Sequence, residues 1–390
     1  MFEIKLVNQI SPVGLAQLDA AKYHCAADVE NADAYLVRSA SLHEEVFPKS
    51  LLAIARAGAG TNNIPLDRCA QEGIVVFNTP SANANAVKEL TLCGLLLASR
   101  KIAAGNRWVD TLAGLGDGMS KAVEKGKSQF VGPELKGKTL GVIGLGAIGG
   151  PLANLATHLG MEVYGYDPYL SVDAAWNINK TIHRATDLKT IYEVSDYITL
   201  HIPATKDTAN TINAESIAQM KDGVRIVNFA RGELVNAAEM AEALKSGKVA
   251  AYVSDFPTDE LLPLDNFIGL PHLGASTPES EDNCATMAAQ EIREYLEQGT
   301  IRNSVNFPAL NLAPTMPYRL CVLHKNTQGI VSAVSTAMAD AGINIETMSS
   351  ASRKDVAYIV LDLNAKPGAE VLEKLNAMEG IFRARVIVCE

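Results

Sequence analysis

The chain has 390 residues, 48% apolar and 20% charged, with a formal charge of −10. That length exceeds one ordinary core and implies two or three domains. No apolar run approaches the roughly 18 residues of a membrane span, and the acidity argues against nucleic acid or an anionic membrane as partner. The start, Met-Phe-Glu-Ile-Lys-Leu-Val, reads as a strand and not as a secretory signal. The six cysteines are scattered without a C-x-x-C pair, so reduced thiols, a cytoplasmic location and no metal site are expected.

From residue 1 to about 100, short apolar runs alternate with helical segments. Phe2 to Val7, Ala34 to Val37, Leu52 to Ala55 and Ile74 to Phe77 are predicted as buried parallel strands, which makes this an α/β fold. The segment holding Lys121, Lys125 and Lys127 is read as a polar loop. A second alternating series follows, with strands predicted at Thr139–Ile143, Glu162–Tyr166, Tyr197–Leu200, Arg225–Phe229, Val249–Val253 and Phe267–Leu270. One amphipathic helix is predicted from about Thr277 to Gln298, stopped by Gly299. Asn303 to Pro317 has no periodicity and reads as a linker, after which a strand–helix–strand–strand–helix–strand pattern closes the chain.

The first series with chemical content is Gly144-Leu-Gly146-Ala147-Ile148-Gly149, which follows a strand and opens a helix. Gly144 permits the tight turn, Gly146 leaves room for a pyrophosphate, and Gly149 allows close packing of helix on strand. The helix N-terminus offers N–H donors to phosphate. The next strand ends in Asp167, an acceptor for both ribose hydroxyls that would repel a 2′-phosphate, so NAD is the expected cofactor.

Arg231, Glu260 and His272 follow late strands, where open α/β sheets bind ligands. Taken singly, a surface cation, a loop acid and a helix-capping residue would account for them. Together with Asn228-Phe-Ala-Arg231-Gly232, Ser254-Asp255-Phe-Pro-Thr-Asp-Glu260, Pro271-His272-Leu-Gly274 and His201-Ile-Pro203, the set resembles the D-isomer-specific 2-hydroxyacid dehydrogenases over roughly residues 1–300. The resemblance implies His272 as general base, Glu260 orienting it (with Asp259 as competitor) and Arg231 gripping the substrate carboxylate. It further implies Asp255 on the nicotinamide carboxamide, with Pro203 and Ala230 lining the cofactor. It implies a flavodoxin-like substrate domain, 1–100 with 276–302, and a Rossmann cofactor domain, 101–275, both doubly wound parallel sheets. A linker, 303–316, leads to the last domain.

Arg38-Ser39 and Arg56-Ala-Gly58-Ala59 end two predicted strands, and Asn83 follows a third. Two arginines beside glycine-rich turns suit an acid that also carries a phosphate, unless each simply pairs with a local carboxylate. Similar motifs mark the family members that oxidise 3-phospho-D-glycerate to 3-phosphohydroxypyruvate, the step expected here. Glyoxylate, hydroxypyruvate or a phosphorylated erythronate are the alternative substrates, and a non-catalytic NAD-sensing regulator is the alternative class. Residues 317–390 resemble a ferredoxin-like ACT domain, although Gln328 stands where that family usually has proline. The resemblance implies an L-serine site at a dimer interface, with His324, Asn326 and Asn344 as contacts, in a homodimer or homotetramer. Turn-shaping asparagines and a surface histidine are the plain alternative.

Overall fold

The computed structural model describes residues 1–389, and the chain folds as two compact units. One holds Met1–Asn83 together with the chain from Thr277 onward, and the other holds Ala84–Ser276.

In the first unit, strands β1 (Phe2–Leu6), β2 (Tyr23–Ala26), β3 (Ala34–Val37), β4 (Ala53–Arg56) and β5 (Val75–Asn78) form a parallel sheet of order β2-β1-β3-β4-β5. Every residue of β3 is buried, as expected when helices cover both faces of a parallel sheet. The helix Pro278–Gln298 packs on this sheet. Thr277 caps it by accepting from the Ser280 amide at 3.1 Å, Pro278 occupies its first turn, and Gly299 ends it at φ +70°.

The second unit is built on β6 (Thr139–Ile143), β7 (Glu162–Tyr166), β8 (His183–Arg184), β9 (Tyr197–Leu200), β10 (Val224–Asn228), β11 (Val249–Ser254) and β12 (Phe267–Gly269). Its order, β12-β11-β10-β9-β6-β7-β8, reverses direction beside β6, which creates the switch point where such sheets bind nucleotides. The helix Ala84–Ser99 belongs to this unit, so the division falls at 83/84 and not at the expected 100/101. The reason is packing: Val87, Leu95 and Ala98 share a core with Val142, Val227 and Val253. The expected loop around the lysines is also helical, at Ile102–Asp110 and Met119–Gly126, with Lys127 paired to Glu124.

The chain ends in β13 (Tyr318–Lys325), β14 (Ile345–Arg353), β15 (Val356–Leu363) and β16 (Ile381–Val388), an antiparallel sheet of order β14-β15-β13-β16. One face holds Leu320, Val322 and Leu361 against the helices Ile330–Asp340 and Ala369–Asn376. The other face, with Cys321, Leu323, Tyr358 and Val360, shares a core with Ile292, Tyr295 and Leu296 of the long helix and with Phe77 of β5. Residues 303–316 are therefore no free linker: Phe307 is fully buried and Leu310 nearly so. Arg319 and Asp362 form a buried bidentate pair at 2.7 and 3.0 Å. The same guanidinium donates to the carbonyls of Gln298 and Leu312. Among the described residues no helix is long and apolar enough to cross a membrane.

Candidate active site

In the second unit the turn after β6 takes the shape its glycines require. Gly144 lies at φ +92°, and a side chain on Gly149 would stand 1.9 Å from the Gly144 carbonyl. A side chain on Gly146 would meet nothing within 4 Å, so the backbone there is open to a ligand. Ala147 and Ile148 complete the turn, with Ile148 capping the helix Gly149–His158. Asp167, just past β7, accepts from the amides of Leu145 and Tyr169, both at 2.9 Å. Its carboxylate is thus fixed beside the turn.

Past β9, His201 Nε2 meets Thr199 Oγ1 at 3.0 Å, and burial pushes its pKa down to about 4, so the ring is neutral. Pro203 follows on an exposed stretch. Asp255 ends β11 and is 3% exposed, yet neither carboxylate oxygen has a donor at hydrogen-bonding geometry. Burial raises its pKa, while the charges of His272 and Arg231 oppose that rise. An unpartnered buried acceptor, an open glycine and a fixed acid after β7 fit NAD.

Arg231 extends from a turn organised by Asn228, which is fully buried at the end of β10. The Asn228 amide donates to the Arg231 carbonyl at 2.8 Å and its oxygen accepts from the Ala230 amide at 3.1 Å. Sequence reasoning missed this role, although a polar residue inside Ile-Val-Asn-Phe was its signal. His272 is exposed and packs edge-on to Phe256, with ring centroids 5.0 Å apart. The structure therefore brings Arg231, Asp255 and His272 within one electrostatic field. It does not bring Glu260 to His272. Glu260 is exposed, and the polar influence of the nearby Thr258 hydroxyl lowers its pKa. Asp259 is exposed as well and makes no ion pair with His272 among the described residues. Among the described residues no hydrogen bond or ion pair joins Glu260 to His272, and both acids after Pro257 are exposed.

In the first unit, Arg38 and Arg56 stand at neighbouring strand ends, and Arg56 Nε donates to the Arg38 carbonyl at 3.1 Å. A side chain on Gly58 would lie 2.3 Å from Arg56 Nη1, so that glycine makes room for the guanidinium. The Ala59 carbonyl accepts from Asn78 at 2.6 Å. Asn8 accepts from the amides of Arg38, Ser39 and Ala40 and so shapes the turn after β3. Arg38 itself is paired with Glu281 of the long helix, a local acid of the kind that the alternative reading required. Asn83 is partly buried at the end of this segment.

The three expected effector residues do not meet within one chain. His324 is level with Ser352 of β14, whereas Asn344 precedes β14 about eight residues away, or roughly 25 Å at the strand rise. His324 is buried, with Nδ1 on the Lys325 carbonyl and Nε2 unpartnered. Asn326 donates to the Lys354 carbonyl at 2.9 Å, and Asn344 to Glu346 at 2.6 Å.

Residues 92–275 match the model of the D-isomer specific 2-hydroxyacid dehydrogenase NAD binding domain, and residues 319–380 match the ACT domain. A D-3-phosphoglycerate dehydrogenase of Haemophilus influenzae is 32% identical over 88% of this chain and 82% of that protein. A D-3-phosphoglycerate dehydrogenase of Methanocaldococcus jannaschii is 36% identical over 81% of this chain, which spans only 60% of that relative's length. Among solved structures, NAD+-bound 3-phosphoglycerate dehydrogenase from Entamoeba histolytica superposes with a TM-score of 0.61 at 26% identity, covering 79% of this chain and 99% of that one. The chain belongs to the D-isomer-specific 2-hydroxyacid dehydrogenases, with an NAD-binding domain and a C-terminal ACT domain. Within that family it is similar to proteins named D-3-phosphoglycerate dehydrogenase, from archaea, bacteria and a slime mould.

Proposed function

We propose that the chain oxidises 3-phospho-D-glycerate to 3-phosphohydroxypyruvate with NAD, the entry to phosphorylated serine synthesis. The observation that carries this is the cluster of Arg231, Asp255 and His272 at the ends of β10 and β11 and just past β12, in a chain aligned with D-3-phosphoglycerate dehydrogenases over most of its length. NAD supplies the hydride acceptor. His272 takes the hydroxyl proton as the general base. Arg231 grips the substrate carboxylate with a planar fork. The buried Asp255 carboxyl accepts from the carboxamide of the cofactor, and Asp167 reads its ribose. Arg38 and Arg56 recognise the phosphate, with Arg38 exchanging Glu281 for substrate.

The test is NADH oxidation with 3-phosphohydroxypyruvate, hydroxypyruvate and 2-oxoglutarate in parallel. The proposal expects 3-phosphohydroxypyruvate to have the highest kcat/KM; an equal or higher value for an unphosphorylated acid overturns it. The six cysteines, all free in the structure, support a cytoplasmic setting.

The same reading includes L-serine binding by two ACT domains in a homodimer or homotetramer. β14 is an edge strand, paired only with β15. A second copy laid antiparallel along it brings Asn344 of one chain beside Asn326 of the other, which a single chain does not achieve. Calorimetric titration of L-serine into the parent and Asn344→Ala decides this, and absence of heat with the parent rejects it.

A further inference from the structure

Within the first unit, a cleft of about 620 Å³ separates the flank of the parallel sheet from the ACT sheet. Its basic wall is Lys325, at the end of β13, with Arg353 and Lys354 at the tip of the β14–β15 hairpin. Its apolar wall is Val305, Val356 and Phe382.

Two features of the basic wall stand out. Among the described residues none of the three cations makes an ion pair, although Asp67 and Asp355 also border the cleft. Arg353 donates only to the Ser304 carbonyl, at 2.9 Å. Lys354 also occupies a left-handed conformation, φ 53°. Glycine or asparagine usually takes such a place in a two-residue hairpin turn, because a longer side chain is strained there. The strained turn is held by Asn326, whose amide nitrogens donate to the carbonyls of Lys354 and Asp355. A lysine kept at cost, fixed from behind and engaged in no ion pair among the described residues, is a group arranged to meet something.

We propose that this cleft is a binding site for a small organic anion, one that joins a phosphate or carboxylate to a compact apolar part. The anionic head lies between Lys325 and Lys354, and the apolar part lies against Phe382 and Val356. The site is separate from Arg38 and Arg56, and it meets β14 only at that strand's last residue, Arg353. Its far wall, Leu66–Gln71, is the helix between β4 and β5, and its floor includes Asn306, which accepts from the Val76 amide and donates to the Ile74 carbonyl. An occupant therefore touches both the ACT domain and the segment hydrogen-bonded to β5, the strand that ends in Asn78.

The experiment is calorimetric titration of phenyl phosphate into the full chain, holding NADH and 3-phosphoglycerate at saturation so that the sites for both are filled by a pair that does not react. Phenol and inorganic phosphate, the two halves of the probe, are titrated alongside. Phenyl phosphate should bind more tightly than either half. The Lys325→Gln/Lys354→Gln variant should bind it about tenfold or more weakly, the usual consequence of losing charge-assisted bonds, with turnover unchanged. Lys354→Gly separates binding from folding: it should relieve the strained turn and raise Tm while weakening phenyl phosphate. No binding by the parent under these conditions, or equal affinity in the double variant, overturns the proposal.

Discussion

Glu291 is a carboxyl buried inside the long helix, 5% exposed, and replacing it with glutamine tests how the first unit carries it. One oxygen accepts from Asn303 at 2.6 Å and the other has no partner. Burial, with a smaller push from the charge of Glu294, raises its pKa from 4.5 to about 8. Below pH 4.5 the group is protonated in both folded and unfolded chains and has no effect on stability. As pH rises toward 8 the unfolded chain gains the ionised form while the folded chain keeps its proton, so stability falls, and above 8 the loss is complete. At about 1.4 kcal/mol per pH unit, the loss is on the order of 3 kcal/mol at pH 7 and roughly 5 above pH 8. Glu291→Gln keeps the shape and the acceptor for Asn303 but cannot ionise. Its NH2 takes the place of the unpartnered oxygen and adds a penalty that does not vary with pH, so the readout is the change in the Tm difference across pH 5, 6, 7 and 8. For a unit of this size the gap between variant and parent should widen by on the order of 5–10 °C in the variant's favour between pH 5 and 7. A gap that stays flat across that range refutes the reasoning.

Three other outcomes are expected. Asp362→Asn leaves the Arg319 guanidinium buried without a counter-charge, and chemical denaturation should show a loss of about 3–5 kcal/mol; a loss under about 1 kcal/mol would show that water reaches the pair. Asp167→Ser should lower the NAD-to-NADP ratio of kcat/KM, since the anion that repels a 2′-phosphate is gone, whereas an unchanged ratio in steady-state assays would assign ribose reading to another residue. His272→Ala should lower kcat by roughly two to four orders of magnitude while NADH affinity stays near that of the parent; near-normal turnover would move the base elsewhere.

The strands written most plainly in the sequence are those whose residues are buried on both faces, such as Ala34–Val37 and Tyr197–Leu200, because a short unbroken apolar run is the direct record of that burial. Tyr23–Ala26 and His183–Arg184 were missed, being sheet edges in which only Tyr23 is buried. The helices Ile102–Asp110 and Met119–Gly126 escaped for a related reason: neither buries a residue. The glycine turn was legible because its constraint is local and its spacing fixed by the turn itself. The partner of Arg38 was not legible, since Glu281 lies 243 residues along the chain. The Glu260 loop shows the opposite limit: a motif names the residue, while the direction of its side chain depends on a turn that the motif does not encode.

The shared core beneath the ACT sheet changes what this domain is for the chain. Gly299 lies so close to β13 that an added methyl would come within 2.4 Å of the Cys321 sulfur, and the Tyr358 hydroxyl donates to its carbonyl at 2.6 Å. Arg383 reaches across to the Leu51 and Glu72 carbonyls, and Arg385 to those of Tyr295 and Leu296. A gene truncated after residue 316 would strip these contacts and leave Ile292, Tyr295 and Phe77 facing water, so it would yield a sticky remnant and not a deregulated catalyst. A graft of a foreign ACT domain would fail for the same reason unless its underside were recut to match the long helix. The domain has become a structural layer of the fold, with one face of its sheet committed to the long helix and the other to its own two helices.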